Sequence, residues 1–226
     1  MAATSRPRTS RIPFERRFVL EGVRWRTYES LLKDLEHSNV RLTYDRGRLE
    51  FMAPALIHEA NKRGLGRLIE TMTEALNIPI RSGGSTTFRQ KLKKRGLEPD
   101  ECYWLEHEPA IRGKTELDLD LDPLPDLAIE VENTKSAVDK LAVYAALGFP
   151  EVWRYNGESI QVFRLQADGT YLRLDQSPQF PFLALADLVR FLRLLDTTDE
   201  TTWIRGFRAW VLETLAPLHP DSDAGV

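Results

Sequence analysis

The chain has 226 residues, which is enough for one large domain or for one domain with extensions. A hydrophobic content of 42% and a charged content of 29% are typical of a globular protein, and a net charge of −3 excludes global charge as the basis for binding a polyanion. The single cysteine, Cys102, excludes an internal disulfide and a multi-cysteine zinc site and favours a cytoplasmic location. No apolar run approaches about 18 residues, so we expect no membrane span.

Taken in chain order, the predicted elements interleave helices with strands. Apolar spacing predicts helices over residues 27–36, 54–77, 136–147, 183–195 and 202–215. Alternation and turn residues predict strands over residues 40–44, 48–52, 80–81, 85–90, 101–105, 126–132, 151–155, 159–165 and 170–174. This order predicts an α/β or α+β fold around a mixed sheet.

Composition divides the chain into a main domain with extensions. Residues 1–12 hold little that can pack, so we expect a disordered basic arm that either contacts phosphates or only solubilises the chain. The main domain is expected over residues 13–178, with residues 106–124 as an edge strand or a solvated loop. The helices of residues 179–216 are expected to pack on their own sheet or between subunits, and residues 217–226 are expected to be loose.

The stretch from Pro125 to Asn133 combines β-prone apolar residues with three acids. In a strand, Asp126, Glu130 and Glu132 share one face, while the larger apolar residues share the other. Three carboxylates make a poor core face, but they suit a hard divalent cation, which prefers oxygen ligands. The alternative for Asp126, which follows a proline, is a turn acid that accepts hydrogen bonds from backbone amides.

A further acid, Asp100, also begins a predicted strand after a proline. Carboxylates on neighbouring strands raise one another's pKa, and a bound Mg²⁺ or Mn²⁺ would compensate their charge. Such an ion also polarises a phosphoryl oxygen and lowers the pKa of a bound water. A lysine close by would stabilise developing negative charge, and Lys135 and Lys140 are the candidates by position.

Four segments carry a resemblance to a known family. They are Arg-Leu-Glu-Phe-Met-Ala-Pro-Ala-Leu-Ile-His over residues 48–58, Glu-Pro-Asp over 98–100, Pro-Asp-Leu-Ala-Ile-Glu-Val-Glu-Asn-Thr-Lys over 125–135, and Asp-Lys-Leu-Ala-Val-Tyr-Ala-Ala-Leu-Gly-Phe-Pro-Glu-Val-Trp over 139–153. In their order and spacing, the chain resembles the Uma-type (DUF820-like) restriction endonucleases of the PD-(D/E)XK nuclease superfamily, over residues 25–175. The resemblance implies a restriction-endonuclease-like domain, with a mixed central sheet flanked by helices and a C-terminal helical extension.

The resemblance also implies an active site. Asp100 matches the Asp of the Pro-Asp motif, Glu130 matches the acid of the (D/E)XK motif, and Val131 is the residue whose carbonyl often binds metal. Glu132 stands at the usual lysine position, and Lys140 is either a relocated substitute or a helix-surface lysine. The predicted catalytic set is Asp100, Glu130, Glu132 and Lys140. The predicted metal ligands are Asp100, Glu130 and Val131, which the resemblance implies, and Asp126, which the strand pattern adds. Accessory roles are expected for Glu50, His58 and Lys135, although Glu50 could instead be a solvated or salt-bridged acid and His58 a surface or capping histidine.

These expectations favour an Mg²⁺- or Mn²⁺-dependent endonuclease that hydrolyses DNA phosphodiester bonds. The alternative is a catalytically inactive nuclease-fold module that binds nucleic acid or a protein partner, and a third reading is a hydrolase of another phosphate ester. A basic segment is expected to contact DNA through Arg89, Lys91, Lys93, Lys94 and Arg95. The resemblance implies a homodimer, and the lack of a Gly-rich phosphate loop in the sequence argues against a nucleotide cofactor.

Overall fold

Residues 15–219 are described by the structure, a computed structural model, so the predicted arm over residues 1–12 and most of the predicted tail lie outside the described residues. The strands are β1 (Arg16–Leu20), β2 (Arg41–Asp45), β3 (Arg48–Ala53), β4 (Arg81–Ser82), β5 (Phe88–Gln90), β6 (Arg95–Leu97), β7 (Glu101–Trp104), β8 (Leu127–Val131), β9 (Glu151–Tyr155), β10 (Ile160–Leu165) and β11 (Tyr171–Leu174). The helices are α1 (Trp25–Asp34), α2 (Leu56–Ala75), α3 (Glu108–Ile111), α4 (Lys140–Leu147), α5 (Leu185–Leu195) and α6 (Glu200–Trp210), after which a π-turn (Val211–Leu215) and a 3₁₀ turn (Ala216–Leu218) follow.

Two sheets organise these elements. An N-terminal sheet of five strands has the order β1-β3-β2-β6-β5 and is antiparallel throughout. A central sheet of six strands has the order β11-β10-β9-β8-β7-β4. Within it only the β8–β9 pair is parallel, so the sheet is mixed. The predicted mixed α/β architecture is therefore confirmed.

Strand β8 lies in the middle of the central sheet and is buried along its whole length. Its predicted alternation is confirmed, because Leu127, Ile129 and Val131 pack in one apolar core with α2, α5 and α6. Ala128 packs in the opposite core, beneath α4. Glu130 shares the α4 face with Ala128, since successive side chains alternate between the two faces.

The C-terminal helices pack on the domain's own core. Trp203 of α6 donates its indole N–H to the Phe191 carbonyl of α5 at 2.7 Å, and the Phe191 and Phe207 rings meet edge to face at 4.8 Å. Both helices contribute to the same core as α2 and β8. Within residues 15–219, no helix combines the length and the apolar character that crossing a membrane requires.

Several predicted boundaries differ from the observed ones. Residues 106–124 form the short helix α3 and a loop, which agrees better with the predicted solvated loop than with the predicted edge strand. The helix predicted over residues 136–147 begins at Lys140, because the Asp139 side chain accepts the Ala142 amide and caps it there. Strands β1 and β6 were not predicted, and β5 is shorter than the predicted strand over residues 85–90.

Candidate active site

Two antiparallel strands place Asp100 opposite Glu130. The register pairs Glu101 with Ile129, so the preceding and following residues, Asp100 and Glu130, face each other. Side chains directly opposite in such a pair have Cβ atoms about 4.5–5.5 Å apart. The Asp100 amide donates to the Ile129 carbonyl at 3.0 Å, and Asp100 Oδ2 accepts the Val131 amide at 2.7 Å. Both acids are buried, at 1% and 3% exposure, so the structure brings together the two strongest sequence candidates.

Helix α4 directs a lysine and a tyrosine at Glu130. Lys140, the first residue of α4, places Nζ 2.5 Å from Glu130 Oε2. Tyr144, one helical turn later, donates its hydroxyl to Glu130 Oε1. The Lys140 side chain is only 14% exposed, so it is not a surface lysine. Its ammonium lies at the acid that matches the (D/E)XK motif.

Asp100 is held from the other side by an arginine and a histidine. Arg41 Nη1 lies 3.2 Å from Asp100 Oδ1 and donates to the Pro99 carbonyl at 3.1 Å. His58, fully buried in the first turn of α2, places Nε2 at 3.3 Å from Asp100 Oδ2 and 3.8 Å from Glu15 Oε1. Burial lowers the pKa of His58, but the Asp100 and Glu15 carboxylates outweigh burial and the net pKa is raised.

Glu50 holds the loop that leads into α4. Its Oε1 accepts Arg17 Nη1 at 2.6 Å and the Ser136 hydroxyl at 2.9 Å, and its Oε2 accepts the Ala137 amide at 2.7 Å. Glu50 is buried and both of its oxygens are engaged. It can therefore position α4, and with it Lys140.

Asp126 does not join the cluster, which corrects the prediction that it ligates the metal. Its Oδ2 accepts the Leu105 amide at 2.7 Å and the His107 amide at 3.0 Å, and His107 Nδ1 lies 2.5 Å from Oδ1. Four residues of strand separate it from Glu130, or about 13 Å at 3.3 Å per residue. Residues on one face of a strand need not share one site. Asp126 instead agrees with the alternative interpretation, an acid after a proline that accepts hydrogen bonds from backbone amides.

Glu132 and Lys135 lie at the rim of the cluster. Glu132 Oε1 accepts the Ser136 amide at 3.0 Å, and its Oε2 lies 3.5 Å from Arg154 Nη1. Lys135 is exposed and lies in the same loop. An open cleft of about 630 Å³ runs along this edge. Its polar lining includes Glu130, Glu132, Lys135, Lys140, Tyr144 and Arg154.

A second cleft of about 490 Å³ reaches the cluster from the N-terminal sheet. Its lining includes Arg41, Glu59 and Glu98. Burial raises the pKa of Glu98, although the Arg41 guanidinium acts in the opposite direction. Glu98 and Arg41 therefore extend the buried charges of the cluster towards this second opening.

The two central acids have opposite pKa shifts. Burial alone would raise the pKa of Asp100, but His58, Lys140 and Arg41 outweigh it and hold that pKa well below its usual range. Burial and the neighbouring Asp100 carboxylate raise the pKa of Glu130, which the Lys140 ammonium offsets only in part. Pairs of acids with divergent pKa values are typical of catalytic sites.

The donor set fits a small hard cation. Asp100 Oδ1 is buried and accepts no well-aligned hydrogen bond from residues 15–219, although Arg41 lies close to it. A cation near this oxygen could also use a Glu130 carboxylate oxygen and the Val131 carbonyl. No group of three or more His, Cys, Asp or Glu side chains in the described chain is arranged to hold a metal ion. Mg²⁺ commonly uses only one or two carboxylates and keeps several waters, so two acids suffice for it.

The predicted nucleic-acid segment forms the β5–β6 hairpin. Four of its five cations are exposed, namely Arg89, Lys91, Lys93 and Lys94. Arg95 is partly buried and donates to Asp45 Oδ1 at 2.8 Å, so its charge is already paired.

Sequence reasoning missed three side chains of the cluster, Arg41, Tyr144 and Arg17. Tyr144 had a signal, because it stands four residues after Lys140 and therefore on the same face of a helix. Arg41 and Arg17 come from the N-terminal sheet, and only the register of that sheet brings them to the acids.

The chain is similar to a known family and to a solved structure. The family model described as "Uma2: Putative restriction endonuclease" matches residues 25–196, which is most of the chain. No curated protein matches the chain significantly. Among solved structures, the chain is similar to "a putative nuclease belonging to DUF820 from Anabaena variabilis ATCC 29413", with a TM-score of 0.47 and 16% sequence identity over 67% of this chain and 90% of that chain.

Proposed function

The chain belongs to the Uma2 family, whose model is described as "Putative restriction endonuclease", and from that membership we propose that it is a metal-dependent endonuclease that hydrolyses DNA phosphodiester bonds. The observation that carries the proposal is the buried Asp100–Glu130 pair, whose two pKa values are shifted in opposite directions beside the Lys140 ammonium. A pair of acids with a neighbouring lysine, next to an open cleft, suits phosphodiester hydrolysis.

Asp100, Glu130 and the Val131 carbonyl would hold Mg²⁺ or Mn²⁺. When bound, such an ion polarises a phosphoryl oxygen and lowers the pKa of a water. Asp100 is suited to this role because its lowered pKa keeps it ionised. Burial and the Asp100 carboxylate raise the pKa of Glu130, and the positive charge of a bound cation would offset both effects.

Lys140 would act as a cation. Burial lowers its pKa, but the Glu130 and Asp100 carboxylates outweigh burial and raise it, so the ammonium keeps its proton. A protonated lysine stabilises the negative charge that develops on a phosphate during hydrolysis. Lys140 therefore serves where the superfamily pattern has the lysine that Glu132 replaces here.

Nucleic acid would be held largely through its phosphates. The exposed cations of the β5–β6 hairpin can contact the backbone, and such contacts make binding fall with increasing salt. Arg95 contributes less, since Asp45 already neutralises it. Light scattering would test the homodimer that the resemblance implies. We also place the protein in the cytoplasm, because a single buried cysteine suits a reducing compartment.

The second candidate is a catalytically inactive module that binds nucleic acid or a protein partner. It is favoured by the cations that already neutralise the acids, because Arg41, His58 and Lys140 allow the cluster to fold without a metal ion. It is also favoured by Glu132, which holds a loop where the superfamily pattern has a catalytic lysine.

Calorimetric titration of Mn²⁺ separates the two candidates. The wild type is expected to bind one ion, and Asp100→Asn or Glu130→Gln to abolish binding. Asp126→Asn is the matched control, because Asp126 is equally buried but lies about 13 Å along the strand. In parallel, linear, supercoiled and single-stranded DNA are incubated with Mg²⁺ or Mn²⁺. A folded wild type that binds no Mn²⁺ and leaves all three substrates intact would exclude the nuclease and favour the inactive module.

A further inference from the structure

The β5–β6 hairpin ends in the four-residue turn Lys91-Leu92-Lys93-Lys94, which we name the lysine turn. Leu92 is 100% exposed, so none of its apolar surface is covered by the described chain. The three lysines around it are exposed as well. A large apolar side chain thus stands at the tip of a basic projection.

The lysine turn is held firmly in place. The Lys94 amide donates to the Lys91 carbonyl at 3.1 Å, which closes the turn, and Lys94 adopts a left-handed φ of 51°. The Arg46 amide of the neighbouring β2–β3 turn donates to the Lys94 carbonyl at 2.9 Å. Lys93 Nζ donates to the Ala146 carbonyl near the end of α4 at 2.5 Å. These hydrogen bonds fix the backbone that carries Leu92. Burial of Leu92 by a partner therefore costs little conformational entropy.

Cations outnumber acids in the β5–β6 hairpin and the β2–β3 turn beside it. Arg46 and Arg89 are exposed beside the three lysines. The acid of the neighbouring β2–β3 turn, Asp45, is mostly buried and is paired with both Arg46 and Arg95. These basic surroundings complement a polyanion. They distinguish Leu92 from a single exposed leucine without charged neighbours of one sign.

The lysine turn and the acid cluster lie close enough to contact one duplex. Along β2, Arg41 contacts Asp100 while Asp45 pairs with Arg95 beside the turn, a separation of about 13 Å over four residues. Along α4, Lys140 contacts the cluster while Ala146 contacts the turn, about 9 Å over six residues. Both distances are shorter than one helical turn of DNA, which is about 34 Å.

We propose that the lysine turn inserts Leu92 as an apolar wedge into the minor groove of duplex DNA, while Lys91 and Lys94 contact the flanking phosphates. Leucine side chains can enter between base steps, unstack them partly and bend the duplex. The proposal rests on the proposed function for its substrate class, but it concerns a surface separate from the acids. It assigns the turn a role in deforming the duplex near the site of cleavage.

The test is duplex binding and base unstacking in EDTA, where no cleavage occurs. Fluorescence anisotropy gives the affinity, and 2-aminopurine in the duplex reports unstacking. Leu92→Ala is expected to weaken binding about tenfold and to abolish the 2-aminopurine signal, since most of the buried apolar surface is lost. Leu92→Met should restore both. Leu121→Ala is the matched control, because Leu121 is 83% exposed but lies in an acidic loop.

Salt dependence separates the wedge from the phosphate contacts. Leu92→Ala should leave the slope of log affinity against log salt unchanged, whereas Lys91→Gln with Lys94→Gln should reduce it by about two. Wild-type affinity and unstacking in Leu92→Ala would overturn the wedge, even if the protein cleaves DNA. Leu92-dependent binding in EDTA, together with no cleavage in the separate incubations with Mg²⁺ or Mn²⁺, would keep the wedge and exclude the nuclease. Failure of the wild type to bind duplex, or stronger Leu92-dependent binding to phosphatidylserine vesicles, would overturn the wedge in favour of another partner.

Discussion

Replacing Lys140 with methionine removes one charge from the centre of the cluster while keeping the length of the side chain. In the wild type, Lys140 Nζ lies 2.5 Å from Glu130 Oε2, and the two side chains are 14% and 5% exposed. Removing one partner of such a buried pair costs about 3–5 kcal/mol, because the other charge stays buried and unpaired. We therefore expect Lys140→Met to lower the free energy of unfolding by about that amount at pH 8.

The loss should shrink as the pH falls. Without Lys140, the pKa of Glu130 rises further above its unfolded value, since burial and Asp100 already raise it. A carboxyl group with a raised folded pKa favours the folded state at low pH and loses that contribution as the pH rises through the folded pKa. Lys140→Met should accordingly be closest to the wild type in stability near pH 5 and furthest from it at pH 8.

A double-mutant cycle isolates the pair. Urea denaturation of the wild type, Lys140→Met, Glu130→Gln and the double variant is followed by the fluorescence of the buried tryptophans. We expect a coupling free energy of about 2–3 kcal/mol between the two positions. Arg48→Met is the control, because both side chains of the Arg48–Glu21 pair are exposed and such pairs contribute little to stability. A coupling near zero, with Lys140→Met as stable as the wild type at pH 8, would refute the pairing and remove Lys140 from the proposed centre.

Three further substitutions test the surroundings. Tyr144→Phe should destabilise the protein by about 1–3 kcal/mol in urea denaturation, because Glu130 Oε1 loses its buried donor; unchanged stability would contradict that contact. Burial raises the pKa of Glu151, so its contribution to stability is present at low pH and is lost as the pH rises. Glu151→Gln should therefore flatten the plot of melting temperature against pH between about pH 4 and about pH 8. An unchanged plot would argue against a buried charge at this position. Gly83→Ala should cost about 1–3 kcal/mol in thermal unfolding, because its Cβ would lie 2.7 Å from the Cys102 sulfur, whereas Gly206→Ala has open space and should not destabilise; equal melting temperatures would count against the packing at Gly83.

The sequence was informative where the pattern is local. The period of two in β8 correctly predicted that Leu127 and Ile129 share a core face, and that Glu130 lies on the opposite face. The same pattern misled for Asp126, because a shared face says nothing about distance along the strand. Its carboxylate instead accepts the amides of the loop after β7, a contact that depends on how that loop folds back.

Non-local features were beyond the sequence. Arg41 reaches Asp100 only because β2 pairs with β6, and β6 itself was missed since Arg95-Gly96-Leu97 follows three lysines and looks like part of a turn. Gly96 is nevertheless a strand residue for a steric reason. A Cβ at that position would collide with the Tyr28 hydroxyl beneath the sheet. The glycine that weakened the strand pattern is therefore what allows α1 to pack there.

Glu132 stands where the superfamily pattern that the chain resembles has a lysine, and the loop before α4 gives this glutamate a structural role. Glu132 accepts the Ser136 amide, and Glu50 accepts the Ser136 hydroxyl together with the next amide. The two carboxylates thus fix the segment that ends at Asp139, the N-cap of α4. Lys140 is the first residue of that helix. A lysine at position 132 could not accept that amide, so it would loosen the segment that delivers Lys140 to Glu130. Glu132 and Lys140 are therefore parts of one arrangement, in which Glu132 holds the loop and Lys140 places a positive charge beside Glu130.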